Sequence, residues 1–383
     1  YRRQRQMCIR DRLGAGNIQV PIILKAKELG LYCIVADMDS CAPGFEFSDE
    51  QLAISTLDTD KLMKYAENNN LDGVLTTSDY PVNVVASISK KLHLSAMPED
   101  VAKICTNKYL QRELFLRSGV HTPAFYLCDQ QTDLSLYQEF PYVVKPVDSS
   151  ASRGVQRVDS LVQLKDAFDL ALSYSKKGQV LIEDFIDGGE FSVETFTQKG
   201  RTSIIAVTEK LIIGEDEGFF VEDTHIEPAR ITADEYEIIA AEVIKAINII
   251  GLDNCPSHTE VKLNSGGAFI IEIACRLGGD YITSDLVPLS TGVDMLGNLV
   301  KISLGETIDV TKKRSRYSCV QFLNPQNYTR CVEFIESHDT HISRYDIRPY
   351  SKTLIKSSLD RLGYIIFSTD TLAELESILD KIK

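Results

Sequence analysis

The sequence contains no run of about 18 apolar residues, so it offers no membrane-spanning helix. It has no C-x-x-C pair. Its nine cysteines, at positions 8, 33, 41, 105, 128, 255, 275, 319 and 331, are odd in number and scattered. That pattern argues against both a zinc site and a disulfide framework. Reduced thiols in a cytoplasmic protein are the expectation. No repeat of fixed period and no low-complexity linker occurs. A surplus of positive charge is also missing: 41 Lys and Arg stand against 55 Asp and Glu, a net charge of −14. Such a surface repels a phosphate backbone, so nucleic acid is not an expected partner, although a local basic pocket can still hold a small anion. With 44% hydrophobic and 25% charged residues, the composition excludes collagen, disorder and a disulfide miniprotein. Its 383 residues, at roughly 150 per domain, suggest about two or three domains.

Residues 1–12, YRRQRQMCIRDR, do not match the rest. They hold five arginines and one aspartate with little apolar content, and no apolar stretch follows to make a signal peptide. This segment reads as a non-native leader and is set apart from the fold. The Gly-rich turn at Gly14 is thereby left without the apolar strand expected before it. From Leu13 onward, short apolar runs alternate with amphipathic stretches: VPIILKAKELG (helix), LYCIVADMD (strand), TDKLMKYAENNN (helix), DGVLTTSD (strand) and VNVVASISKKLH (helix). That rhythm predicts a doubly wound parallel sheet over 13–105. An α+β unit is predicted over 106–310. A small α+β unit is predicted over 311–383. The fold class is therefore α/β with α+β.

Four patterns carry chemistry. Gly14-Ala15-Gly16 makes a Gly-rich turn, but Gln19 stands where a dinucleotide fingerprint needs its third glycine. A tight turn and a ligand loop are equally open there. Asp37, Asp39, Ser78 and Asp79 lie at carboxyl ends of parallel strands, where open sheets bind ligands; helix capping is the plain alternative. In PYVVKPVDSSASRGV, Lys145 sits within an apolar strand and needs an anionic partner. The small residues after it, Ser149, Ser150, Ser152 and Gly154 among them, can drape amides and hydroxyls over phosphates. In VLIEDFIDGGEFSVE, Glu183 could accept from an exocyclic amine and Glu190 from two sugar hydroxyls; two solvated hairpin carboxylates are the alternative.

HTEVKLNSGGAFIIEIACRLGGD is the most informative stretch. If Asn264 faces Ala268 across a three-residue loop, Glu260 faces Glu272 and Lys262 faces Ile270. Like charges directly opposed destabilise a hairpin, and a hard divalent cation relieves them while leaving positions open for substrate oxygens. FIIEIAC is too apolar for an exposed strand, which favours the metal reading. Arg276 is placed to steady phosphoryl charge, and Gly278-Gly279 let the chain pass close to a ligand. His258, Asp79, Tyr281 and Ser284-Asp285 are candidate substrate contacts. Lys210 and His225 are further candidate substrate contacts, and residues 215–223 read as a solvated acidic loop, with attraction of an amine substrate as the alternative.

The order of NKY, YVVKP with its Ser/Gly loop, IEDF…GGEFSVE and HTEVKL…IIEIACRLGGD resembles the ATP-grasp superfamily. The similarity is to its carboxylate–amine ligase branch, such as bacterial L-amino acid (dipeptide) ligases, with kinship to purine-pathway and carbamoyl-phosphate-synthase-like members. It covers about residues 13–310, with 13–105 as the pre-ATP-grasp domain, and it implies that 106–310 is two-lobed, with a lid lobe at about 120–190. The resemblance implies ATP and Mg²⁺, or Mn²⁺ in its place, as cofactors. It implies that Lys108 and Lys145 contact phosphates and that Ser149–Gly154 form the lid loop. Glu183, with the backbone of Asp184 and Phe185, would serve the adenine, and Glu190 the ribose. Glu260 and Glu272 would bind metal, and Arg276 would act with Lys145 in catalysis. The partners implied are a small carboxylate and an amine, and a homodimer fits the pattern. Ala274 departs from the Asn common in the family, which leaves one metal or two open. The alternatives kept are a bicarbonate-activating carbamoyl-phosphate or biotin-carboxylase-like enzyme and a non-catalytic nucleotide-binding module. An NAD-dependent oxidoreductase is disfavoured by Gln19.

Overall fold

The structure is a computed structural model that describes residues 8–149, 152–215, 217–352, 355 and 357–383, with side chains from residue 14 onward. Three sheets organise it. The first holds β1 (Cys8–Leu13), β2 (Tyr32–Asp37), β3 (Glu50–Ala53) and β4 (Gly73–Leu75), all parallel, in the order β3-β2-β1-β4. The second holds β5 (Phe125–Cys128), β6 (Tyr142–Pro146), β7 (Gln156–Val158) and β8 (Val180–Asp184), in the order β5-β8-β6-β7. The third is eight-stranded: β9 (Gly189–Gln198), β10 (Arg201–Ile213), β11 (Val221–Glu227), β12 (Cys255–Asn264), β13 (Gly267–Ala274), β14 (Tyr317–Phe322), β15 (Ile342–Ile347) and β16 (Gly363–Thr369). Its order is β13-β12-β9-β10-β11-β14-β16-β15.

Three expectations change. Residues 8–12 of the segment set aside as a leader form β1 together with Leu13, and β1 lies between β2 and β4. A ladder is made by backbone groups, so even a charged sequence can occupy the central slot; the register slips between Arg10 and Arg12. The terminal segment 311–383 is not a separate sheet, because β14 pairs with β11 and carries β16 and β15 onto the large sheet. Nor is 215–223 simply a solvated loop: β11 begins at Val221, and Asp223 is buried, accepting from Gln321 and Asn324.

The large sheet has an apolar and a polar face because its strands alternate with period two. On β9, Phe191 and Val193 turn into the main core while Glu190, Ser192 and Glu194 turn the other way. The helix Ala233–Ile250 covers the apolar face. A capping box of Thr232 and Glu235 starts it, and Gly251, with φ +79°, ends it. It buries Ile239, Val243, Ala246, Ile247 and Ile250 at helical spacing, and each fully buried Ile or Val side chain contributes roughly 1.5–3 kcal/mol. No helix among the described residues is long and apolar enough to cross a membrane.

The turn from β8 to β9 depends on Gly188. Its φ is +127°, and a Cβ there would lie 2.2 Å from the Leu263 carbonyl oxygen. Gly200 has φ +72° with nothing within 4 Å of a Cβ. Gly200→Ala should therefore cost only the left-handed penalty, roughly 1–2 kcal/mol. Gly188→Ala should cost more, roughly 3 kcal/mol or above, because backbone must also move. Urea unfolding midpoints of the two variants compare them directly.

Candidate active site

The polar face of the large sheet gathers the site in rows. Glu190 of β9 stands opposite Lys210 of β10 and Lys262 of β12; Ser192 opposite Thr208 and Glu260; Glu194 opposite Ala206 and His258. Across the next ladder Glu260 pairs with Glu272, and His258 with Ala274. The expected opposition of the two glutamates holds, but by a different route. Asn264 pairs with Gly267, and Lys262 with Phe269 rather than Ile270; a bulge between Glu260 and Val261 then restores Glu272 opposite Glu260. One residue fewer in the loop is offset by one extra in the strand.

Every cation on this face has an acid beside it. Lys210 Nζ lies 3.0 Å from Glu190, 3.0 Å from Glu260 and 3.6 Å from Glu222. Burial alone would depress its pKa, but the three carboxylates outweigh burial and hold it well above the ordinary value. Burial would raise Glu260, yet Lys210 and His258 pull it well below the carboxylate range. Lys108 Nζ lies 2.8 Å from Glu272 and 2.9 Å from the Ser149 carbonyl oxygen. The Glu260 and Glu272 side chains keep 30% and 26% of their surface open, against 4% for Lys210. A ligand thus reaches the carboxylates first. Among the described residues no third His, Cys, Asp or Glu joins them as a metal cluster. Two hard oxygen donors on adjacent strands fit Mg²⁺ or Mn²⁺ whose remaining positions are filled by phosphate and water oxygens.

Lys145 lies deeper. Its Nζ is 2.7 Å from Glu183, whose carboxylate is also gripped by Arg112 at 2.8 and 3.1 Å. Burial dominates Lys145 and lowers its pKa to about 8, with Glu183 pulling it partly back. Glu183 is held below its ordinary value because Arg112 and Lys145 together outweigh burial. The carboxylate expected to meet an exocyclic amine is therefore committed to two cations and 2% exposed. The adjacent N–H groups are also spent, Asp184 donating to the Ala124 carbonyl and Phe185 to the Pro141 carbonyl. Glu183 clamps the strand lysine, and the Phe185 ring lies 4.6 Å from the Arg157 guanidinium.

The helix Lys108–Ser118 supplies both Lys108 and Arg112. Their i, i+4 spacing puts them on one buried face with Gln111. Gln111 donates to the Ile273 carbonyl at 3.1 Å and accepts from the Ile273 N–H at 2.9 Å, so its amide acts as a strand partner for edge strand β13. Arg112 adds a bond to the Ile271 carbonyl at 2.6 Å.

At the far end of the face, Arg276 is bidentate to Asp79, at 2.7 and 3.0 Å. Asp79, expected to touch substrate, instead holds the arginine; burial would raise its pKa, but Arg276 outweighs this and lowers it. His258 Nδ1 lies 2.5 Å from Glu194, which also accepts from the Gly278 N–H at 3.2 Å. Burial works against the imidazolium, but Glu194 prevails and raises its pKa to about 9. A Cβ on Gly278 would lie 2.6 Å from Glu194 Oε1, so that glycine is required by close approach. Gly279 carries no such constraint. Beyond it, Asp280 and Tyr281 adopt φ +48° and +67°. Arg361, from the segment before β16, holds Asp280 at 2.8 Å and Glu222 at 3.0 Å.

In the Ser/Gly loop, Ser149 meets Lys108 through its carbonyl, Ser152 has φ +53° and Gly154 φ +74°; Ser150 lies outside the described residues. Asp37 accepts from the Ala15 N–H at 2.8 Å, which makes the Gly14–Gly16 segment a braced turn. The structure thus brings together Lys108, Lys145, Glu183, Glu190, Glu260, Glu272, His258, Arg276 and Asp79. Sequence reasoning missed Glu194, Arg112 and Glu222, and it offered Lys210 as a substrate contact without the carboxylates that surround it. The alternation E-x-S-x-E from Glu190 was the available signal for Glu194.

Residues 138–285 match the ATP-grasp domain family. The chain is 33% identical over 144 residues to a D-alanine–D-alanine ligase of Flavobacterium psychrophilum, covering 36% of this chain and 42% of that protein. It is 24% identical over 269 residues to dapdiamide A synthase of Enterobacter agglomerans, covering 66% of this chain and 63% of the relative. The chain thus spans less than two thirds of either curated relative. An L-amino acid ligase from Bacillus licheniformis shares the fold, with a TM-score of 0.79, 22% identity and 97% of each chain covered.

Glu183→Gln should cost about 3–5 kcal/mol, because it leaves buried Arg112 and Lys145 without their counter-charge. Chemical denaturation at neutral pH measures the loss.

Proposed function

We propose that this chain is an ADP-forming ATP-grasp ligase joining a small carboxylate to an amine, a reading supported by the match of residues 138–285 to the ATP-grasp domain family. One observation carries this reading. Glu260 and Glu272 face each other across a ladder, partly open, each with one oxygen on a lysine. A triphosphate bringing a divalent cation would meet acids for its metal and ammonium groups for its phosphates in one place. The named activity of the D-alanine–D-alanine ligase relative supports the same class of reaction.

In this reading Lys108 and Lys145 bind the phosphates, Glu190 the ribose, and the Ser149–Gly154 loop covers them. Magnesium, held by Glu260 and Glu272 and the phosphates, would neutralise charge on the transferring group. A substrate carboxylate oxygen attacks the terminal phosphorus, the bond to ADP breaks, and an acyl phosphate forms. Arg276, fixed by Asp79, steadies the charge on that phosphate. An amine nitrogen then attacks the acyl carbon, phosphate leaves, and the nitrogen's proton passes to solvent or phosphate. The residues position and neutralise, and the sheet excludes water from one side.

Glu272→Gln should lower turnover at least about 100-fold even when assayed well below its melting temperature, which should itself fall because buried Lys108 loses its carboxylate. ADP release at the parental rate would remove the metal role. A phosphate-release screen with ATP, Mg²⁺ and pairs of carboxylates and amines, with bicarbonate and ammonium as one pair, tests the reaction. Silence with every pair despite ATP binding would replace it with the non-catalytic reading.

Lys145 gives a pH signature. Its pKa of about 8 in the free protein rises when phosphate binds, so binding takes up a proton above that value. Affinity for a non-hydrolysable ATP analogue should be flat at pH 7 and weaken by up to about tenfold per unit above pH 8. Calorimetry in buffers of different ionisation heat reads both the affinity and the proton uptake.

A further inference from the structure

Asp79 and Tyr80 are neighbours on the turn after β4, and they engage two different parts of the molecule. Asp79 holds Arg276 by two bonds. The Tyr80 ring carries two cations of the lid lobe: the Arg153 guanidinium 5.4 Å from its centroid and the Lys176 ammonium 5.0 Å from it. Arg153 belongs to the loop after β6, and Lys176 follows the helix Leu161–Tyr174. These two stretches are tied to each other. A Cβ on Gly154 would touch the Tyr174 ring at 3.0 Å. Asp148 accepts from the Ser175 hydroxyl at 3.0 Å and from the Lys177 N–H at 3.1 Å. Both cations therefore sit on one edge of one body.

We propose that the Asp79-Tyr80 turn is a positioning device for the ligation reaction. Tyr80 receives the lid's two cations when the lobe is shut, and Asp79 holds Arg276 at the reacting phosphate from the adjacent residue. Closure of the lobe and placement of the arginine thus share one short segment of the first sheet's unit. The proposal rests on the ligase reading for its chemistry and on the ring contacts for its mechanics. Exposed cation–π contacts are individually weak, which suits a latch that must open in every turnover. A loosened latch admits water to the acyl phosphate, so its loss shows in how the intermediate partitions rather than in whether the protein folds.

The test uses the full chain with Tyr80→Leu, Tyr80→Phe and Asp79→Asn. Tyr80→Leu should raise the ratio of phosphate released to amide formed by on the order of tenfold, with an unchanged melting temperature, and Tyr80→Phe should restore the ratio. Asp79→Asn should lower kcat with little change in KM for ATP. Trypsin gives a readout independent of turnover: fragments ending at Arg153 and Lys176, quantified by mass spectrometry, should appear faster in Tyr80→Leu than in the parent or in Tyr80→Phe. Equal cleavage in all three, or a product ratio in Tyr80→Leu equal to the parent's, overturns the latch. A parent chain that makes no amide with any pair defeats the ligase reading instead, and the trypsin comparison still decides the contact.

Discussion

The ammonium of Lys210, buried among Glu190, Glu222 and Glu260, is the interaction on which the site turns. A lysine cannot be taken out of water without acids beside it. Here those acids come from three different strands, so the pairing fixes β9, β11 and β12 relative to β10. The same rule repeats outward: Lys108 with Glu272, Lys145 and Arg112 with Glu183, Arg276 with Asp79 and His258 with Glu194. One face of the sheet is an array of opposite charges, and the other is apolar and sealed by a helix. The fold keeps the two apart by strand alternation alone.

Distant segments close this array. The helix Lys108–Ser118 seals the β13 edge through Gln111, and Arg361 reaches back from near the end of the chain to Glu222 and Asp280. Asp280 and Tyr281 adopt left-handed backbone that side-chain-bearing residues rarely take. Arg361 on Asp280, and the Tyr364 ring 4.2 Å from that of Tyr281, hold them there. Backbone of this kind persists where its surroundings over-determine it.

Much of this was legible in the residues. The strand–helix rhythm pointed to the parallel sheet, and the apolar run around Glu272 pointed to a carboxylate that needed a partner. Glu260 was correctly placed opposite it, although through a loop one residue too long and without the bulge that offsets it. Bulges leave no mark in a sequence, because they depend on which backbone bonds the partner strand can make. Glu183 was singled out for its place at the end of β8, but its ion pairs were not foreseen. Its real partner, Arg112, lies 71 positions earlier, and no periodicity connects them. The charged stretch before Gly14 shows the limit of composition: a strand slot can be filled through main-chain bonds by residues whose side chains suggest otherwise.

Because each amine on the sheet face already leans on a carboxylate, an incoming polyanion does not enter vacant positive ground. It has to trade places with the acids. A bare anion would strand those acids without counter-charge, whereas one that carries its own divalent ion offers them a replacement. In the ligase reading the face would therefore select a neutralised ion complex over the free anion, by exchange rather than by attraction.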